Sequence, residues 1–394
     1  MSLNRLFTIF LVLFQLIFLY ATPIESISMA DAILILIYPF LIFKLIKTKK
    51  LVLSKLNINL LLFLFYVLFQ FVVLYILKDI PFLNDAALRT GRFVFYLITV
   101  ICIAPNFFDV KLGVKVLKYI SIISTIFLIF QILMVRFVGV YIPGTVPGLQ
   151  LMRSDLLDFN QNIMNAGYLI RPRSFFSEPA HYATYVLLYL AIGLFAEKKK
   201  NTDYWPEILI SIGLVLSNSA TGFIACAMLW GLWICKNLLS NKKKIKFIIT
   251  MLLLTPVLIF GVVNTEYYQT FIFRVFGETS GGLGTAAAGR MGNYGIAFST
   301  QGLSTIEVLF GRGMIDPGYY IPAIPNLFFY FGIIGVILFF IVSTAIFYKG
   351  AIKQKIIIIL TLILSIGGDA IFGPNCLYFY LFLLNPIIIN KQAT

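Results

Sequence analysis

Apolar runs of about 20 residues follow one another along this chain, separated by short polar or Gly- and Pro-containing stretches. At a rise of 1.5 Å per residue, runs of that length match a hydrocarbon core about 30 Å thick. The pattern predicts membrane-spanning helices at 3–21, 27–46, 56–77, 92–107, 119–138 and 178–195. Later helices fall at 206–218, 220–235, 246–263, 324–348, 354–372 and 375–390. The polar stretch Ser217 to Gly222 interrupts the region 206–235 and makes it either one long helix or two short ones.

Charge arbitrates. If 206–235 were one span, the cluster Lys198, Lys199 and Lys200 would lie across the membrane from Lys242, Lys243, Lys244 and Lys246, against the tendency of lysine to stay cytoplasmic. Two spans keep both clusters inside, give about twelve in all and leave both termini cytoplasmic. On that map nearly every lysine is internal. Arg89, Arg92, Arg136, Arg153, Arg171, Arg173, Arg274, Arg290 and Arg312 face outward or line the outer membrane boundary. The expected fold is an all-α polytopic membrane protein, with one membrane domain over 1–394 and external segments at 139–177 and 264–323. The larger external segment carries Gly281, Gly282, Gly284, Gly289 and Gly292, then a short surface helix from Asn293 to Thr300. It reads as a lid over an external site.

Composition narrows the function. The chain has 394 residues, 60% hydrophobic and 12% charged, too few polar groups for the surface of a soluble domain. A net charge of +15 would suit nucleic acid if it were one patch, but the lysines sit between apolar runs as topology signals, so no nucleic-acid partner is expected. The first apolar run, Leu6 to Tyr20, lacks a small-residue cleavage site and reads as a retained helix. Cys102, Cys226, Cys235 and Cys376 have no metal-ligand spacing and read as packing residues.

Candidate chemistry gathers in a few short elements. Arg171-Pro-Arg-Ser-Phe-Phe-Ser-Glu-Pro-Ala-His precedes a predicted helix, where Ser177 is placed to cap, Glu178 enters the first turn and Pro179 forfeits no hydrogen bond. Capping leaves Arg171 and Arg173 unexplained. A guanidinium grips phosphate oxygens with a planar fork, so outward arginines point to an anionic group such as a lipid phosphate, or to a structural ion-pair network with Glu178. His181, three residues after Glu178, shares its helical face and is positioned to orient that carboxylate or an acceptor. Arg290 and Arg312 lie among glycines that permit close approach. Asp316 is a second carboxylate candidate, with Glu266, Glu278 and Glu307 as further acids. Asn218 sits in the polar interruption, where broken helices expose backbone to a cavity or small residues pack helices. Asp369, at an outer helix end, is placed to line the same cavity. Acidic metal-binding spacing is absent, so neither metal nor cofactor is expected.

These segments resemble the O-antigen polymerase and ligase superfamily of bacterial envelope enzymes. The resemblance rests on Arg171-Pro-Arg-Ser-Phe-Phe-Ser-Glu-Pro, the Leu216-Ser-Asn-Ser-Ala-Thr-Gly turn, the large loop with Gly289-Arg290, and Phe310-Gly-Arg-Gly followed by Asn326. The first element looks more like repeat-unit polymerases. Family ligases carry a histidine before the following helix, whereas Tyr319-Tyr-Ile-Pro-Ala-Ile-Pro-Asn has none, and His181 is the chain's one histidine. The implied reaction moves a growing glycan from undecaprenyl pyrophosphate to another lipid-linked repeat. It takes place on the outer side of the bacterial cytoplasmic membrane, among membrane lipid, with a chain-length regulator and a flippase as further partners. The implied catalytic set is Glu178 as base, Asp316 second, with Arg173 and Arg290 against the pyrophosphate. Arg171, Arg312, His181, Asn218, Tyr319 and Asn326 hold substrate. A ligase-like transferase and a lipid-linked oligosaccharide flippase are the alternatives.

Overall fold

The computed structural model describes residues 2–24, 27–48, 55–77, 83–152, 171–196, 201–240, 285–299 and 302–385. They form helices α1 (Leu3–Ile17), α2 (Met29–Thr48), α3 (Lys55–Leu77), α4 (Leu83–Ile98), α5 (Ala104–Phe107), α6 (Val110–Val138) and α7 (Pro179–Leu194). A π-helical turn, Thr99–Ile103, joins α4 to α5. Then come α8 (Trp205–Leu216), α9 (Ala220–Ser240), α10 (Thr285–Phe298), α11 (Thr305–Phe310), α12 (Ala323–Lys349), α13 (Ile352–Gly367) and α14 (Gly373–Leu384). Five stretches, Met29–Thr48, Asn57–Ile76, Asn84–Phe107, Val110–Val138 and Ala323–Lys349, are long and apolar enough to cross a membrane. The described residues are helical, with no strand among them, and suit a bilayer. The long helices turn faces such as Leu36, Phe40, Phe43, Phe65 and Phe69 outward, which water would penalise and lipid accepts.

Most predicted elements reappear close to their expected bounds, and the departures have local causes. The polar lead Leu83–Arg92 joins α4 because Asp85 and Arg89, one turn apart, pair at 2.9 Å. Helix α6 starts at Val110 because the Asp109 carboxylate accepts the Leu112 amide at 3.1 Å. The expected break between 206–218 and 220–235 is present, with α8 ending at Leu216 and α9 starting at Ala220. The surface helix is longer than expected, starting at Thr285. The predicted helix 246–263 lies outside the described residues. Of the cysteines, Cys226 and Cys376 are buried, but Cys235 is exposed and packs little.

The chain divides into two compact units. One comprises Met1–Phe18, Met29–Val116 and Arg290–Thr394, and the other Leu19–Ser28 and Leu117–Gly289. In the first unit α12 packs on α3, α11 and α13, and α14 packs on α1, α4 and α13. An aromatic cluster centres on Phe331, whose ring lies 5.6 Å from Phe63, 6.1 Å from Phe93 and 6.0 Å from Phe372. Each such pair contributes about 0.5–1.5 kcal/mol beyond burial. A charged group is buried there too. Asp31 of α2 pairs with Arg92 of α4 at 3.4 Å and accepts the Tyr96 hydroxyl at 2.5 Å.

Helix α12 is broken at Gly332, whose φ of 64° and ψ of −169° are non-helical. The carbonyls of Phe329, Tyr330 and Phe331, just ahead of the break, are taken up. Arg312 N donates to Phe329 O at 2.9 Å and Gly313 N to Tyr330 O at 3.0 Å. From α3, Gln70 Nε2 reaches Tyr330 O at 2.9 Å and the Tyr66 hydroxyl reaches Phe331 O at 2.5 Å.

In the second unit α7 packs against α8 and α9, and α8 against α9. Close approach is possible because Gly213 leaves room for the Tyr182 hydroxyl and Gly222 for the Ala183 methyl. Tyr182 and Thr125 of α6 share a hydrogen bond at 2.8 Å.

Candidate functional site

The loop Arg171 to Glu178 enters the second unit ahead of α7, and its sequence explains its shape. Pro179 at the first helical position fixes the helix start, and Glu178 is the N-cap residue, extended at φ −142° and ψ 156° without a side-chain cap bond. Ser177, expected to cap, instead pairs its hydroxyl with His181 Nδ1, so His181 is engaged by Ser177 one turn away. Glu178 is half-buried at the helix N-terminus, where the helix dipole favours its negative charge.

Arg173 is 3% exposed. Its Nη1 donates to Ser177 O at 3.0 Å, while Nε and Nη2 are buried with no hydrogen-bond partner in the protein. Each buried donor left without a partner costs on the order of 1–3 kcal/mol, which an anion placed against that edge of the guanidinium would offset. Arg171 is half-buried two residues earlier.

The backbone that carries Arg173 is held under strain. Ser174 has φ 55°, a left-handed conformation uncommon for serine. Gln131 of α6 fixes it, accepting Ser174 N at 2.9 Å through Oε1 and donating to Ile142 O at 2.9 Å through Nε2. Ser174 Oγ donates to Ser124 O at 2.7 Å. Phe175 stacks on Phe127 at 4.4 Å, and a Cβ on Gly144 would fall 2.0 Å from Ser174 O. Sequence reading missed Gln131 and Gly144. The available signal was a lone amide in the apolar run 119–138. Gln131→Leu is expected to cost roughly 1–3 kcal/mol by stripping the Ser174 amide of its partner. A lower melting temperature, with faster amide hydrogen exchange at 173–177, checks this.

Asn218 occupies the turn between α8 and α9, in the same unit, at φ 53° and 4% exposure. Neither Oδ1 nor Nδ2 of its amide has a partner in the protein.

The remaining candidates belong to the first unit. Arg312 is largely committed to the fold. Its backbone closes the α12 break, its guanidinium lies 5.1 Å over the Phe329 ring, and its Nε is 4.0 Å from Glu307. It also lies at the C-terminal end of a half-helix, where a cation is favoured. Glu307 forms a capping box with Ser304 at the start of α11. Asp316 is bound by Arg89 at 2.6 Å and accepts Gly318 N at 2.9 Å. The Gly318 amide, and then Arg89, hold its carboxyl below the usual carboxylate range, which makes it a weak proton acceptor. Asn326 is buried and donates to Ile321 O at 3.4 Å, and Tyr319 is exposed. Arg290 falls on α10. Asp369 lies in the turn from α13 to α14 and accepts Phe372 N at 3.2 Å. Arg153, Glu266, Arg274 and Glu278 lie outside the described residues. Among the described residues, no three His, Cys, Asp or Glu side chains gather as a metal site would require.

The residues brought together by the described structure are therefore Arg173, Ser177, Glu178 and His181 in the second unit, and separately Arg312 with Glu307 and Asp316 with Arg89 in the first. No family model, characterised protein or solved structure matches this chain.

Proposed function

We propose that this chain is a multipass glycosyltransferase of the O-antigen polymerase and ligase superfamily, joining undecaprenyl-pyrophosphate-linked oligosaccharide repeats on the outer face of a bacterial cytoplasmic membrane. In this reading the chain crosses the membrane twelve times, with both termini cytoplasmic, lysines inside and most arginines outside. One observation carries it. Arg173 is buried with two guanidinium nitrogens unpartnered, in the loop that ends on Glu178 at a helix N-terminus. A phosphorylated lipid supplies the matching oxygens.

The acceptor hydroxyl oxygen attacks the anomeric carbon of the donor and its proton passes to Glu178. The bond from that carbon to the pyrophosphate oxygen breaks, and the electron pair leaves with the pyrophosphate against Arg173. Asp316 is a poorer base because Arg89 and Gly318 already hold its oxygens. The transporter alternative gains nothing from the discontinuous α12, since its freed carbonyls are occupied by protein donors.

The test is to incubate purified protein with a defined lipid-linked repeat and size the products. A ladder of multiples supports polymerisation. A single transfer to a different acceptor indicates a ligase, and no covalent product removes the enzymatic reading. Glu178→Gln is expected to keep donor binding and slow transfer by about 10²–10⁴-fold. An unchanged rate would remove Glu178 as base.

A further inference from the structure

The geometry points to a second subsite in the same unit: the α8–α9 turn takes an uncharged hydroxyl-bearing group, the sugar of a lipid-linked saccharide, through the Asn218 amide. This deepens the function proposed above and rests on it for the lipid carrier, though not for the sugar.

The turn holds Asn218 in the left-handed region, which asparagine tolerates better than most residues. The side chain is 4% exposed, and its acceptor Oδ1 and donor Nδ2 both lack protein partners. Buried amide atoms are rarely left this way, and each such case calls for a reason. Neighbouring hydroxyls do not supply one. Ser217 Oγ donates to Leu214 O at 2.8 Å, and Ser219 Oγ accepts Gly222 N at 3.3 Å.

The chemistry of the turn selects the ligand class. Residues 217–222 read Ser-Asn-Ser-Ala-Thr-Gly, without a charge. A phosphate only accepts hydrogen bonds and would use half of the amide. A sugar hydroxyl both donates and accepts, and neighbouring hydroxyls on one ring match Oδ1 and Nδ2 together. The placement agrees. Gly222 packs against Ala183, and Gly213 against Tyr182, so the turn lies beside the first two turns of α7, which follow directly from the Arg173 loop. On α6, Ser121 Oγ and Ser124 Oγ are also buried without partners, and the Ser124 carbonyl takes Ser174 Oγ at 2.7 Å. The second unit thus offers an anion-matching guanidinium and a separate set of neutral hydroxyl-matching groups, as a sugar attached to a phosphate requires.

The test uses full-length protein in lipid nanodiscs with two kinds of probe: a panel of octyl hexosides, which carry sugar without phosphate, and undecaprenyl phosphate, which carries phosphate without sugar. Asn218→Gly preserves the backbone conformation and deletes the amide, and Asn218→Asp keeps the shape but loses the donor. Both are expected to weaken hexoside binding about tenfold or more, with undecaprenyl phosphate binding unchanged. Arg173→Gln is expected to do the reverse. If no hexoside binds, or if wild-type protein and both variants bind them equally, the subsite is overturned and Asn218 is satisfied by buried water. If hexoside binding depends on Asn218 while undecaprenyl phosphate binding ignores Arg173, the subsite stands and the lipid-pyrophosphate reading fails.

Discussion

Arg173→Gln is expected to cut chain extension by about 10²–10³-fold, the range seen when one donor is removed from a developing anion. The same variant is expected to melt at a higher temperature. The substitution removes two buried nitrogens that lack a hydrogen-bond partner, Nε and Nη2, together with a buried charge. That pairing of outcomes separates binding from structure. A guanidinium that merely braced the loop would lose activity and stability together. Arg173→Lys is expected to remain impaired, because an ammonium cannot present the planar edge. Product sizing on purified protein, with melting in detergent, measures both. Normal chain lengths in the two variants would end the proposal.

Gly332→Ala is expected to abolish folding of the first unit or to destabilise it by more than about 3 kcal/mol. At φ 64° and ψ −169° the backbone suits glycine alone, and a Cβ would stand 2.4 Å from Leu309 O and 2.5 Å from Gly311 N. Gly311→Ala is expected to fail for the reciprocal reason, since its Cβ would meet Tyr330 O at 2.4 Å. Gly231→Ala serves as the control. It lies within α9 with nothing inside 4 Å and should be neutral or stabilising by up to about 1 kcal/mol. Extraction yield and melting temperature decide, and a wild-type melt for Gly332→Ala would contradict the broken helix.

Helix positions were legible because one variable, apolar run length, governs them. The end of α8 and start of α9 were readable from Ser217 to Gly222, where polar residues interrupt two apolar runs. Other features depend on partners far away in sequence. Gly332 sits within an apolar run and gives no sign of the break. The break arises because Arg312 N, Gly313 N, Gln70 and Tyr66 converge to receive its carbonyls. Arg89 read as an outward arginine, yet it neutralises Asp316. Arg171, Arg173 and Arg312 looked equivalent in sequence. Packing distinguishes Arg312, settled on Phe329 and near Glu307, from Arg173, buried with two nitrogens unpaired. Ser177 had the right chemistry to cap α7, but its hydroxyl goes to His181.

The carboxylate of Asp31 bears on how the protein is made. Asp31 stands in the first turn of α2, and its partners, Arg92 and Tyr96, emerge from the ribosome only two helices later. Until then the start of α2 carries a carboxylate that lacks its cation. The late-arriving cation therefore ties an acid already at the edge of the bilayer to a helix made after it, so that α2 and α4 lock together only once both have been inserted.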